Sequence, residues 1–521
     1  MERKVVPPKF PLLMEMPERM KKPLKGEKRA LVLLVDFSDN QSRYPPSDFR
    51  ELFFGDTGSL RDYYQEVSYE NLSLYGEVKG WYTLGHSYSY YTDHQYGVGM
   101  DYPHNTQGMV ADALKRADSD IDFSLYDGDN DGYVDYLVIV HAGMGAEETN
   151  SREDIWSHKW QLSDTKTGSP GPYTTNDGVK IDAYITGPES SLYGKANIGV
   201  FCHEFGHLLG LPDLYDTQDP YYVGPGKFSL MSSGAWNGSP PGSSPSHLCS
   251  WSKYLLGWIE PFGLDNPGDS IPKANFPAVE WNPVAYRLLP NPNGADWTFN
   301  YPGKGEYFLV ENRYQTGFDK GLPGSGLLIL HIDESQSDNN DQTHPLVGII
   351  QADKNSAFSL TRDDQGRGED LWSNDTSGFG FLSIPPSLLY DGTPSGVVIK
   401  NISAEDSVME ADLSLKVVLL GKVYSFPNPF IPDRTHKRVT IRYVPKDKSQ
   451  EYPKFKVSIY NLAGELVRVL DTPNSEVYPL VRTAFWDLKN DRGEEVSSGL
   501  YFYLIETEDG ERNKGKLTVI R

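Results

Sequence analysis

Two cysteines in 521 residues, Cys202 and Cys249, exclude a disulfide scaffold, so the fold must rest on hydrophobic cores and on any metals it binds. One disulfide between them and two buried free thiols are both open, because free cysteine is commonly buried. No apolar run approaches the roughly 18 residues of a membrane span. Basic charge is also scarce: 49 Lys and Arg face 72 Asp and Glu, for a formal net charge of −23. With no Lys/Arg-rich run to offset it, such a surface repels nucleic acid and anionic membranes. The first residues, MERKVVPPKFPLLMEMPERMKKPLKGEKR, are charged and broken by proline, unlike a signal peptide.

What the chain has in quantity is tyrosine (33), glycine (49) and proline (37), a mixture suited to turn-rich β structure. Its length exceeds what one core usually organises, which points to several domains. Residues 1–28 read as a polar leader or the remnant of a pro-segment. From 29 to 261 strand and helix patterns interleave. Leu31–Val35 is a continuous apolar run of the kind found in buried central strands, and YVDYLVIVHAG (133–143) is a second. Ser59 caps a helix in which Leu60, Tyr63, Tyr64 and Val67 share a face, residues 72–82 alternate like a strand, and 109–117 form another short helix. Residues 262–415 carry short β-branched and aromatic runs between Gly, Pro, Asn and Asp clusters, a β-rich domain. A third unit of sandwich size, 416–521, has strand patterns at 456–464, 465–470, 483–488, 499–510 and 516–521. The fold class expected is therefore α+β.

The chemistry concentrates in VFCHEFGHLLGLPDLYD (200–216). Residues i and i+4 of a helix share a face, so His203 and His207 can place two imidazole nitrogens on one ion. Glu204, one step round the helix, is better placed to hold a water than the metal. Gly210 can end the helix in a left-handed conformation and Pro212 prevents its simple continuation, so Asp213 can swing back as third ligand. A His₂Asp set leaves the fourth zinc position for water, as a catalytic site requires. Asp216 and Asp219 are rival third ligands, and Tyr215 either packs or donates a hydrogen bond. His158 and His247 read as structural.

The pattern HExxHxxGxxD followed by FSLMSSGAW, which sets Met231 in a tight turn, resembles the metzincin peptidases, with Asp213 in place of the usual third histidine. GSLRDYYQEVSYENLSL, DIWSHKW, PSHLCSWSKYLLGW and ENRYQTGFDKGLPGSGLLILHIDES narrow the resemblance to the immune inhibitor A family of secreted zinc metallopeptidases, over about residues 30–415. The resemblance implies a metzincin-like zinc peptidase domain with zinc on His203, His207 and Asp213 and Glu204 as general base. It implies a secreted or cell-surface endopeptidase that hydrolyses protein substrates through a zinc-bound water activated by Glu204. The export signal and longer pro-segment usual in that family are not visible. The alternatives are a non-catalytic surface adhesin with a structural metal, and a zinc exopeptidase. The last 100 residues resemble Ig-like modules related to flagellar hook-capping proteins and type IX secretion sorting domains, implying contact with a cell surface or secretion machinery.

LYDGDNDGYVDYL carries a second metal pattern. Asp127, Asp129 and Asp131 stand at positions 1, 3 and 5 of an EF-like loop, with Gly132 for the tight turn. Tyr133 offers a carbonyl and Asp135 reaches through water. Val138 stands where an EF-hand has its bidentate glutamate, so a structural calcium here needs another ligand from elsewhere.

Overall fold

The apolar run of β1 (Gly26–Phe37) sits in the middle of a mixed sheet and is buried from Ala30 onward. Its side chains divide by parity: Val32 and Leu34 enter one core, Leu31, Leu33 and Val35 another on the opposite face. That two-sided burial is why the segment is continuously apolar rather than alternating. The structure is a computed structural model that describes residues 24–291, 294–295, 305–375, 377–380, 383–393, 395–416, 422–432, 437–444, 455–471, 477–478, 483–507 and 512–521. Residues 1–23 of the expected leader lie outside these.

After β1 come α1 (Pro46–Phe54), α2 (Leu60–Val67), β2 (Leu72–Leu84), α3 (Tyr88–Thr92), α4 (Thr106–Ala117), β3 (Leu137–Met144), α5 (Ala146–Thr149) and β4 (His158–Gln161). A small hairpin of β5 (Tyr173–Thr174) and β6 (Lys180–Ile181) leads to β7 (Ala183–Ser191), β8 (Gly194–Lys195), α6 (Ile198–Leu208) and, later, α7 (Ser250–Leu255). The main sheet runs β2-β1-β3-β7-β4, parallel except for β4, which lies antiparallel along β7 at the edge. Met109, Val110, Ala113 and Leu114 of α4 pack on one face. Phe201, Cys202 and Phe205 of α6 and Tyr63 and Tyr64 of α2 pack on the other. Ser59 caps α2 by accepting from the Asp62 N–H at 3.0 Å. The strand expected at 133–143 begins only at Leu137, because residues up to Asp135 belong to the acidic loop, where the Asp135 N–H bonds to Tyr126 O.

Residues beyond 261 build a five-stranded sheet (262–264, 286–288, 306–313, 326–333, 347–349) and a three-stranded one (270–277, 397–400, 408–415). Tyr307, Leu309, Leu328, Leu330 and Val347 join the same core as Phe205 and Trp251. The described residues up to Ser387, with Val397–Lys416, therefore form one unit. The second unit comprises residues 388–396 and 417–521. It holds two antiparallel four-stranded sheets around one core that includes Ile441, Val457, Ile459, Trp486, Tyr503 and Ile505.

Candidate metal centre

Helix α6 buries Phe201, Cys202 and Phe205 against the sheet, and Tyr64 Oη donates to Cys202 O at 2.6 Å. Helical geometry then turns His203 and His207 to the opposite side. Both are 8% exposed, and Glu204 is 6% exposed. Beneath the helix, a Cβ on Gly206 would stand 2.6 Å from Met231 Sδ, so glycine is what lets the methionine turn approach so closely.

The helix ends in a Schellman motif: the Leu211 N–H bonds to Gly206 O and the Gly210 N–H to His207 O, both at 3.0 Å, with Gly210 at φ +94°. This turn brings Asp213 back over the helix. Its Oδ1 lies 3.1 Å from His203 Nε2 and 3.3 Å from His207 Nε2. The second nitrogen of each ring is committed: His203 Nδ1 donates to Leu230 O at 3.0 Å and His207 Nδ1 to Leu211 O at 2.8 Å. Those bonds fix the tautomer that leaves Nε2 able to take a cation, the outer-shell arrangement typical of histidine ligands. One ligand atom from each of the three residues lies within 4.8 Å of the others, so the donor set fits a small divalent metal. Asp216 and Asp219 are turned elsewhere. Asp216 accepts from the Gln218 and Asp219 N–H groups, and Asp219 accepts from that of Tyr221.

Burial opposes ionisation of Asp213, yet His207 and His203 hold its carboxyl well below the usual carboxylate range. Burial raises Glu204, tempered by the same two histidines. The Tyr215 ring lies 6.3 Å from that of His203, and burial together with the Asp213 charge keeps its hydroxyl protonated.

Cys202 and Cys249 are buried free thiols. His158 donates from Nδ1 to Trp156 O at 2.6 Å and meets Thr106 Oγ1 at 2.9 Å; His247 lies between Glu66 and Lys253. In the acidic loop, Asp127, Asp129 and Asp131 bring one carboxylate oxygen each within 4.8 Å of the others. Asp127 also accepts from the N–H groups of Asp131 and Gly132, and Asp131 from that of Tyr133. Asp135 turns back to accept from the Gly128 N–H at 2.9 Å.

Two carboxylates near α6, Glu147 and Glu148, escaped the sequence reading. Their signal was weak: they directly follow the C-terminal end of a buried parallel strand, where ligands of α/β sheets gather.

Residues 17–258 match the family described as Immune inhibitor A peptidase M6, catalytic domain. The chain is 32% identical over 287 residues to the pre-pro-metalloprotease PrtV of Vibrio cholerae serotype O1, covering 44% of this chain and 30% of that protein. It is 31% identical over 275 residues to Immune inhibitor A of Bacillus thuringiensis subsp. alesti, covering 43% and 39%. The chain thus spans well under half the length of these relatives. Among solved structures, PorZ, a surface component of the type IX secretion system of Porphyromonas gingivalis, matches at 11% identity, covering 44% of this chain and 36% of that one. Its TM-score of 0.16 is too low for any fold to be read from it.

Proposed function

We propose, from the match of residues 17–258 to the immune inhibitor A (peptidase M6) family, that the chain is a secreted or cell-surface zinc endopeptidase of that family acting on proteins. The observation that carries the reading is the convergence of His203 Nε2, His207 Nε2 and an Asp213 oxygen within 4.8 Å, beside a nearly buried Glu204. His203, His207 and Asp213 hold the metal. Zinc, when bound, supplies Lewis acidity toward the peptide carbonyl and acidifies water. Glu204 takes the proton of the attacking water and returns it to the leaving amine. Its low exposure keeps bulk water from competing for that proton. Leu230 O and Leu211 O orient the two imidazoles, and the Tyr215 hydroxyl, protonated and beside Asp213, is a donor for the oxyanion. Edge strand β4 offers backbone groups along which an extended substrate can add as a further strand.

We assign the metallopeptidase domain to residues 29–261, the β-rich domain to 262–415 and an Ig-like module that contacts the cell surface or secretion machinery to 416–521. The acidic loop, with Asp127, Asp129, Asp131, Tyr133 and Asp135, is assigned to a structural calcium. The central test is Glu204→Ala: the variant retains one zinc per chain by elemental analysis and loses casein cleavage by at least about a thousandfold. Wild-type rates in that variant, or chelator-resistant proteolysis by the parent chain, would overturn the mechanism.

A further inference from the structure

Of the three metal-binding side chains, His203 and His207 stand on helix α6, whereas Asp213 stands on the loop that follows it. That loop is tied down from two sides. Leu214, the next residue, is fully buried, and its N–H bonds to Met231 O at 2.8 Å. The carbonyl just before it, Leu230 O, already orients His203. Two consecutive carbonyls of the methionine turn therefore hold one histidine and the loop of the third ligand together.

The Leu214 carbonyl is held from outside the peptidase segment. It accepts from Asn339 Nδ2 at 2.8 Å, a residue 125 positions later, in the turn that leads into the β-rich strand Val347–Ile349. Asn339 is 3% exposed, and its amide is committed on both ends. Nδ2 also donates to Val347 O at 2.9 Å, while Oδ1 accepts the Val347 N–H at 3.0 Å. Two carbonyl acceptors on one side settle which end of the side chain is nitrogen. Gly224 makes the approach possible, since a Cβ there would stand 1.8 Å from Leu214 O and 2.9 Å from Asn339 Nδ2. Asn340 makes a separate tie further along the same loop, where its Oδ1 accepts from the Thr217 N–H at 2.8 Å and hydroxyl at 3.0 Å.

With the N–H, carbonyl and side chain of Leu214 all committed, neither adjoining peptide plane can rotate without breaking a buried hydrogen bond. Those planes carry Asp213 on one side and Tyr215 on the other. A ligand set works only when its members are held within about 0.5 Å of the productive geometry. We propose that Asn339 is a positioning residue of the metal centre. Acting through the Leu214 carbonyl, it fixes the Asp213 carboxylate against His203 and His207 and holds Tyr215 beside them. The β-rich segment is thereby a working part of the zinc site, although the three ligands lie outside it.

The inference rests on the reading of His203, His207 and Asp213 as zinc ligands, and metal binding is measured apart from turnover so that the two can fail separately. Zinc affinity of the full chain is read by competition with a chromophoric chelator. Visible absorption of the cobalt-loaded chain reports the ligand geometry. Asn339→Asp keeps the acceptor for the Val347 N–H, removes both donated bonds and sets a carboxylate oxygen against Leu214 O. In the folded variant zinc should bind about 10–100-fold more weakly, and the cobalt spectrum should change. At saturating zinc, kcat should fall with KM little altered. Asn340→Ala cuts the other tie between the same two segments and should keep the parental affinity and spectrum. If Asn339→Asp does not fold, Asn339→Ser, whose hydroxyl is too short to reach Leu214 O from the same backbone, takes its place with the same expected weakening. Parental affinity and spectrum in the folded Asn339 variant, or equal weakening in Asn340→Ala, overturns the positioning role and leaves the peptidase reading standing. A parent chain whose zinc affinity depends on Asn339 but which cleaves nothing upholds the positioning role and overturns the peptidase reading instead.

Discussion

At φ +94°, Gly210 occupies a conformation that costs an L side chain about 1–2 kcal/mol, and its turn is what returns Asp213 to the two histidines. Gly210→Ala should therefore lower stability of the metal-free chain by about that amount, read as a smaller urea midpoint at unchanged slope. It should also weaken zinc binding in a competition titration, since the strain relaxes by displacing Asp213; a variant with parental affinity would mean that Asp213 is positioned by something else. Buried histidines set a second residue-level property. Burial pulls both His141 and His158 down to about 4, opposed in each by a backbone hydrogen bond, from about 6.5 in an unfolded chain. Their folded values are depressed, so between those limits the unfolded state binds more protons and stability rises with pH. The stabilisation is complete above about pH 6.5 and is lost as pH falls toward 4, on the order of 3 kcal/mol for each histidine. Urea midpoints at pH 7 and pH 5 should differ clearly, and a flat profile would show that these rings protonate in place.

The acidic loop is an element whose order comes from its own backbone. Asp127 and Asp131 accept N–H groups of the loop, and the exposed Asp129 Oδ1 accepts the Asp131 N–H at 3.3 Å, a bond that an asparagine amide oxygen can also accept. Calcium that binds only the folded chain adds about 2.7 kcal/mol at a hundred times its dissociation constant. The parent should thus melt higher in millimolar calcium than in chelator, while Asp129→Asn should melt like the parent in chelator and gain little from calcium. Equal gains in both would exclude the loop as the binding element. Elements such as this were legible in the sequence wherever local chemistry determines local shape. Ser59 announces α2, the Gly210 turn announces the end of α6, and LVLLV announces a strand buried on both faces. The start of β3 was not legible, because residues 133–136 carry a strand-like pattern while the loop's hydrogen bonds claim their backbone.

Over the whole molecule, what the sequence could least reveal is the dependence of the helical half on the β-rich half. The texture change after residue 261 suggests a separate body, since composition reports local structure but not which faces become buried together. Arg313, fully buried, donates from Nη2 to Asp319 Oδ2 at 2.6 Å, with Glu311 at 3.3 Å and Glu280 at 3.7 Å. Asp319 in turn accepts the His247 N–H at 2.8 Å, and His247 meets Glu66 of α2 and Lys253 of α7. Apolar contacts follow the same path, for Tyr307, Leu309 and Leu328 complete the core around Trp251 and Phe205. A chain ending at residue 261 would expose that core, take Asp319 from the His247 N–H and leave buried Lys253 without the carboxylates of Glu311 and Glu280. Such a truncation should show no cooperative urea transition by tryptophan fluorescence. Within the full chain, Asp319→Ala leaves Arg313 buried with weaker compensation and should cost about 3–5 kcal/mol. A double variant, Arg313→Met with Asp319→Leu, should recover only part of that loss, because it removes the stranded guanidinium but leaves buried Glu311 and Glu280 without it. If the truncated chain instead unfolds cooperatively with the parental midpoint, the peptidase half is self-sufficient and the network is only a surface between two independent folds.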